Sequence, residues 1–250
     1  ELPDPGKADA ACQALEQKFL QEDEQRRGFL HLSLQLAAAQ LSYEKYQAAG
    51  LPDNVFYATM DCFRRFLYET KARSGQWLYD RYQWTWRQTS CLIFRFGSLE
   101  FECKRADDDE IPERLNKGDA ILSVHIPSDA DLSSRALAES YRQAEQFYQG
   151  IGQKFSVYGT PQAVICRSWL LAPALEPFLA EDSGIRRFRE DYDLFSLNEE
   201  DESFYEWLFN DRRQPDTLPQ DSSLQRKVKS FLLEGGKIGL GRGEQRYFTL

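Results

Sequence analysis

The sequence predicts an α/β protein of the α+β type, in which a helical N-terminal region precedes a mixed sheet flanked by helices. Up to about residue 90, large apolar residues recur at the spacing of an amphipathic helix. From Cys91 onward they alternate with polar residues, as in a half-buried strand. A strand, a loop and an amphipathic helix then follow one another between Asp119 and Gln149, as in the first half of a βαβ unit.

The composition is that of a folded protein rather than of a fibrous, disordered or disulfide-stabilised one. Of the 250 residues, 42% are hydrophobic and 14% aromatic, which is enough to fill a sizeable core. The net charge of -9 argues against nucleic-acid and anionic-membrane partners, because both attract basic surfaces. The stretch from Gln225 to Leu250 is basic, and it is a candidate for contact with a phosphate-bearing ligand; we favour a basic edge that balances acidic neighbours.

The cysteine pattern predicts reduced thiols and therefore a cytoplasmic protein. The five cysteines are odd in number and form no C-x-x-C pair. The longest apolar run, Trp169 to Leu175, is far shorter than the roughly 18 residues of a membrane helix. Because the opening stretch Glu1 to Ala8 is polar, we also expect no secretory leader.

Helical spacing predicts the elements of the first third of the chain. A long helical pattern stops at Gly50-Leu51-Pro52, and Pro52 opens a further helix that ends before Gly75. The stretch Gln76 to Arg87 is rich in Trp and Tyr. We expect it to pack a helix onto the sheet, with a carbohydrate or aromatic ligand as the alternative.

Alternating residues predict the strands of the rest of the chain. Cys91 to Cys103 reads as a hairpin with its turn at Gly97-Ser98. The acidic residues 107–110 are expected to form a solvated loop rather than a metal site, because no His accompanies them. A second strand, Ala163 to Leu170, completes the βαβ unit, and further strands are predicted near Asp193 to Leu197 and in the glycine-rich end, as a final hairpin or twisted strand ending in Tyr247 and Phe248.

Strand parity points to a candidate catalytic site. If Leu99, Phe101 and Cys103 face the core, Glu100 and Glu102 lie on the opposite face of their strand; by the same rule His125 points outward from the next strand. If these strands are neighbours, the carboxylates and the imidazole meet on one side of the sheet. A Glu beside a His suits general-base chemistry. A hydrogen-bonded structural histidine and solvated glutamates are the alternatives.

Other chemistries find little support in the residues. Two histidines exclude a histidine-rich metal site, and no G-x-S-x-G elbow is present. Gly235-Gly236-Lys237 is followed by Ile238 instead of the Ser or Thr of a nucleotide-binding loop. A cysteine nucleophile, Cys103 or Cys166 with His125, ranks below the general base because nothing cationic nearby would lower a thiol pKa.

Four stretches resemble a bacterial N-acyltransferase-like family with a helical N-terminal acyltransferase domain and a GNAT-like C-terminal domain. They are GSLEFE at 97–102, SVHIP at 123–127, CRSWLL at 166–171 and SSLQR at 222–226. The resemblance covers most of the chain from Phe56 onward. It implies a helical domain at 1–90, a GNAT-like domain at 91–250 and a mixed, mostly antiparallel sheet.

The resemblance also implies acyl-CoA or acetyl-CoA as co-substrate and no metal. Ile126, Ser128 and Ser168 are the residues that it suggests for cofactor binding. GNAT enzymes bind the coenzyme A pyrophosphate through a Gln/Arg-x-x-Gly-x-Gly/Ala loop, and here the corresponding loop, His125 to Asp131, has no glycine and contains two aspartates. Each aspartate would repel a pyrophosphate unless it turned away.

We therefore predict an acyl-CoA-dependent N-acyltransferase that acts on a small-molecule or peptide amine, with His125 as general base and Glu100 or Glu102 as its orienting partner. Backbone N–H groups would hold the oxyanion, and Tyr158 or Tyr192 could protonate the leaving thiolate. The alternatives are a non-catalytic GNAT-like module that binds a small ligand or a protein partner and, more distantly, carbohydrate recognition by Trp77 to Trp86.

Overall fold

The computed structural model describes residues 5–106, 111–150 and 159–247. It confirms the predicted fold class, a helical region followed by a six-stranded mixed, mostly antiparallel sheet with helices. The predicted acidic loop 107–110, Tyr158 and Phe248 lie outside the described residues. In the part of the chain that is described, no helix combines the length and apolarity needed to cross a bilayer. The helices are α1 (Pro5–Phe19), α2 (Glu24–Ala49), α3 (Asp53–Met60), α4 (Cys62–Ser74), α5 (Tyr82–Thr89), α6 (Ser134–Gln149), α7 (Gly184–Glu190), α8 (Phe204–Phe209) and α9 (Ser223–Leu233).

The helical region follows the sequence pattern at its ends but not throughout. Gly50, at φ 74°, ends α2 in the left-handed conformation that glycine adopts without a Cβ clash. The single helix predicted after Pro52 is two helices, α3 and α4, which are separated at Asp61. The next stretch is helical only from Tyr82, and within it Tyr79 is buried whereas Trp77 is exposed.

The sheet begins with the predicted hairpin and βαβ unit. Strands β1 (Ile93–Phe96) and β2 (Leu99–Arg105) are antiparallel and turn at Gly97. β2 pairs with β3 (Ala120–His125), and β3 runs parallel to β4 (Val164–Ser168) after the crossover through α6. The helix α6 buries Leu137, Tyr141 and Tyr148 in the main core cluster. One face of β2 and β3 therefore packs on α6.

The glycine-rich end is a strand, but it lies inside the sheet. β6 (Leu240–Gln245) pairs with β4 on one side and with β5 (Tyr192–Asn198) on the other, which gives the order β1-β2-β3-β4-β6-β5. Of the two alternatives predicted for this stretch, the strand is confirmed and the terminal hairpin is wrong, because the partners of this strand are distant in sequence. At Gly241 a Cβ atom would stand 2.8 Å from Leu194 Cδ1 and 3.0 Å from the carbonyl carbon of Leu171. A glycine thus allows β6 to approach the turn that follows β4.

The Gly241→Ala variant should be less stable than the wild type. The added methyl group would clash with backbone as well as with a side chain, so the surrounding structure must move. We expect the unfolding free energy to fall by about 1–3 kcal/mol, the usual cost of overpacking. Urea unfolding followed by circular dichroism measures this shift. An unchanged urea midpoint would contradict the close contacts described at Gly241.

Candidate active site

The predicted neighbouring strands do bring His125 to a carboxylate. In the β2–β3 ladder Glu100 is opposite His125, and Glu102 is opposite Ser123. The hydrogen bond, however, runs diagonally: His125 Nε2 lies 2.9 Å from Glu102 Oε2. The His125 side chain is 22% exposed and that of Glu102 13%, so the pair is reachable but largely shielded from water.

The charge state of Glu102 fixes the tautomer of the histidine. Burial raises the pKa of the Glu102 carboxyl, but the hydrogen bond and charge of His125, together with the charge of Arg87, outweigh this and hold the pKa below its ordinary value. An ionised carboxylate can only accept, so Nε2 carries the hydrogen, and in the neutral form of the ring Nδ1 has the lone pair. Nδ1 has no hydrogen-bond partner among the described residues. This nitrogen is free to accept a proton.

Glu100, the other glutamate proposed to orient His125, does not lie on the solvated face that was the alternative for it. Its side chain is 2% exposed, and it accepts a hydrogen bond of 2.7 Å from Arg65 Nη2 of α4. Gln88 of α5 donates a second, longer hydrogen bond of 3.3 Å. The helices of the N-terminal region thus cover the outer face of β2. Glu100 is therefore a buried ion-pair partner of Arg65, although it is directly opposite His125 in the ladder.

Two residues that the sequence argument did not identify hold the imidazole in place. The Trp84 ring of α5 meets the His125 ring edge to face, with centroids 4.9 Å apart. The Arg87 guanidinium lies 4.3 Å above the centroid of Trp84, and its Nε is 3.5 Å from Glu102 Oε1. The dense Trp and Tyr content of 76–87 was the only sequence signal for this contact.

The site lies where two parallel strands part. The β3–β4 ladder ends at the pair Val124 and Cys166, and β4 continues to Ser168 alongside β6. The chain leaves β3 at His125 and returns in α6, whose first turn is capped by Ser133. In an open sheet, the carboxyl ends of such parallel strands form a crevice that can receive a ligand.

The three residues proposed for cofactor binding lie around this opening. Ile126 is half-buried against the main core, and the Ser128 hydroxyl donates to Glu69 of α4. Ser168 Oγ accepts a hydrogen bond of 3.1 Å from Leu170 N and so caps the short 3-10 turn that follows β4. Ile126 and Ser128 belong to the loop after β3, whereas Ser168 ends the neighbouring strand.

The cysteine alternative does not agree with this geometry. Cys103 and Cys166 are buried in the main core cluster, and Cys103 alternates with Glu102 and so lies on the other face of β2 from His125. Burial raises the pKa of the Cys166 thiol, and that of Cys91 to about 11. Tyr192 is likewise buried, and its hydroxyl is bonded to Tyr141.

All five thiols should be unreactive in the native protein. Each cysteine is buried, so neither access nor thiolate character favours attack on a reagent. We expect Ellman's reagent to detect no fast-reacting thiol before unfolding and five after denaturation in guanidinium. A rapid reaction of one thiol in buffer would contradict the packing described here.

The basic C-terminal stretch is largely balanced by its neighbours. Lys237 pairs with Glu200, and Arg246 pairs with Asp193. Lys227, Lys229 and Arg226 each donate to a backbone carbonyl. These contacts favour the basic edge over a phosphate-binding tail.

A mixed, mostly antiparallel sheet is the arrangement that the resemblance to a GNAT-like domain implies, and the structure contains such a sheet. Residues 93–244 match the model of the GNAT-like C-terminal domain, and residues 4–91 match that of the N-acyltransferase N-terminal domain. The chain belongs to this N-acyltransferase family, which confirms the resemblance predicted from the sequence. None of the curated proteins compared with the chain matches it.

Solved structures show the same fold at low sequence identity. A crystal structure of an acyltransferase with decanoyl-CoA is 23% identical, with a TM-score of 0.75, and the match covers 88% of this chain and 66% of that one. An acyltransferase with decanoyl-CoA and teicoplanin is 22% identical over 98% of this chain and 81% of that one, with a TM-score of 0.76. An acyltransferase mutant with octanoyl-CoA is 22% identical over 98% of this chain and 80% of that one, with a TM-score of 0.77. The chain thus spans about two thirds of the first and about four fifths of the others.

Proposed function

We propose that this protein transfers an acyl group from acyl-CoA to the nitrogen of an amine, with His125 as the general base. The observation that carries the proposal is the 2.9 Å contact between His125 Nε2 and Glu102, which leaves Nδ1 unoccupied at the opening between β3 and β4. Family membership supports the reaction class. We also propose a cytoplasmic location, because acyl-CoA as donor and five free thiols are typical of that compartment.

In the proposed reaction, the amine nitrogen attacks the thioester carbonyl carbon. A bond between nitrogen and carbon forms while the carbonyl π electrons move to oxygen. His125 Nδ1 takes the amine proton, and Glu102 stabilises the imidazolium. Backbone N–H groups at the end of β3, that of Ile126 among them, would hold the oxyanion. The electron pair on the oxyanion then re-forms the carbonyl as the C–S bond breaks, and the coenzyme A thiolate leaves and receives the proton from His125.

The donor would lie along the loop after β3, with Ile126, Ser128 and Ser168 around it. The loop leads into α6, a helix of 16 residues whose N-terminus favours anions. The site would be shared between the predicted domains 1–90 and 91–250, because Trp84, Arg87 and Glu69 come from the first and His125 comes from the second. Neither domain alone would present the whole arrangement.

The solved relatives suggest which substrates to test first. They were crystallised with decanoyl-CoA, octanoyl-CoA or CoA, and two of them with teicoplanin or a teicoplanin derivative. For this chain we propose a medium-length acyl-CoA as donor and an amine on a small molecule or peptide as acceptor. The acceptor would reach Nδ1 of His125 at the opening between β3 and β4.

Titration with acyl-CoA tests the donor site. Acetyl-, octanoyl- and decanoyl-CoA are added separately at 100 times their dissociation constants, where a ligand specific for the native state adds about 2.7 kcal/mol to the unfolding free energy. Thiol release with a panel of amines then tests transfer. No stabilisation by any acyl-CoA would favour the non-catalytic module, which the missing glycine pattern at 125–131 already suggests as the second candidate.

A further inference from the structure

The loop after β3 contains two carboxylates where the proposed donor site must accept a pyrophosphate. Asp131 is already used, because its Oδ1 accepts a hydrogen bond of 2.8 Å from Ser133 N at the start of α6. Asp129 remains, and its side chain is 46% exposed. A free carboxylate there would repel the phosphates of the donor.

Asp129 is turned toward the sheet by an arginine. Arg95 Nη1 lies 3.0 Å from Oδ1 and 3.1 Å from Oδ2 of Asp129. The Arg65 guanidinium stands behind the pair, with its Nη1 3.7 Å from Asp129 Oδ1. Two guanidinium groups therefore face the Asp129 carboxylate, and their positive charge reduces the negative potential that Asp129 creates at the loop.

Both arginines are fixed by contacts that do not involve the loop. Arg95 is opposite Glu100 in the β1–β2 ladder, so Arg95, Glu100 and His125 form one row across three strands. Its side chain is 10% exposed, and its Nε donates to Gly97 O at 3.1 Å. Arg65 is held by Glu100 at 2.7 Å. The sheet and α4 thus present a fixed pair of guanidinium groups to the loop.

We propose that Arg95, supported by Arg65, is a positioning residue for the acyl donor: it holds the Asp129 carboxylate against the sheet, so that the loop after β3 can accept the pyrophosphate of coenzyme A. This inference rests on the proposed donor site. It also explains how a loop without the usual glycines and with two aspartates is compatible with an anionic ligand.

The test compares dissociation constants by calorimetry, which needs no acceptor. For Arg95→Gln we expect the dissociation constant of decanoyl-CoA to rise about fivefold at low salt, the size expected for one exposed charge. The rise should shrink at high ionic strength because exposed charges are screened. Decanoyl-pantetheine, which lacks the phosphates, should show no such rise. Arg64→Gln, on the exposed side of α4, is the matched control and should bind decanoyl-CoA as the wild type does.

Rescue separates this role from a merely structural one. Asp129→Asn added to Arg95→Gln removes the freed charge and should restore the wild-type dissociation constant for decanoyl-CoA. A double variant that stays as weak as Arg95→Gln, or an equal loss for decanoyl-pantetheine, would overturn the positioning role alone. A wild-type protein that binds no acyl-CoA would instead overturn the proposed function together with it.

Discussion

Replacing His125 with Ala should lower kcat/KM for amine acylation by about 10²–10⁴, the contribution of a positioned general base. The measurement is thiol release from octanoyl- or decanoyl-CoA with the amine that gives the highest wild-type rate. Because His125 is 22% exposed, we expect the variant to fold and to bind the donor. The loss should therefore appear in kcat rather than in the affinity for acyl-CoA.

Two further variants make this result specific. Glu102→Gln removes the counter-ion that stabilises the imidazolium, so the rate should fall, but less than in His125→Ala. His31 is the other histidine; it is buried in the helical region and stacks on Tyr82 with ring centroids 3.8 Å apart. A His31→Gln protein should keep its rate at temperatures where it is folded. A wild-type rate in His125→Ala would remove the base from the mechanism.

Among the variants proposed for this chain, single replacements in the Arg65–Glu100 pair should lower the unfolding free energy most. The two side chains are 6% and 2% exposed, so Arg65→Met or Glu100→Met removes the nearest opposite charge of a buried group. Such a loss costs about 3–5 kcal/mol. The double variant Arg65→Met/Glu100→Met leaves no uncompensated charge and should recover most of the stability, because an apolar pair of similar volume can replace a buried ion pair.

Urea unfolding of the four proteins in this cycle measures the coupling between the two residues. Arg64→Met serves as a control, since its side chain is 70% exposed and its pair with Asp61 should be worth at most about 1 kcal/mol. If the two single effects simply added in the double variant, the pair would not be the coupled, buried unit described here.

The sequence predicted the parts of this molecule that depend on local spacing. Alternation placed Glu102 and His125 on the outer face of their strands, and the short turn at Gly97-Ser98 paired β1 with β2. The pairing of β2 with β3 could only be assumed from the sequence, because a long connection separates these strands. Parity indicates a face but not what covers it, so the burial of Glu100 beneath α4 and its pairing with Arg65 were not predicted.

The residues that complete the site come from distant segments and could not be predicted in this way. Trp84 reaches the imidazole and Arg87 reaches Glu102 from α5, and Arg65 reaches Glu100 of β2 from α4. The Trp and Tyr content of 76–87 predicted that this stretch packs a helix onto the sheet, but nothing local marks His125 or Glu102 as the partner of these side chains. The break between α3 and α4 at Asp61 could not be predicted either, because no glycine or proline marks it.

The position of β6 has a consequence for biosynthesis. This strand separates β4 from β5, yet it is the last of the six to leave the ribosome. Until residue 245 has emerged, β5 has no neighbour to bond with and β4 has an open edge beyond the parallel pair. The second half of the sheet must therefore assemble after translation has passed this point, and a nascent chain that stalls before Leu240 would expose an adhesive edge to chaperones and to other copies of itself.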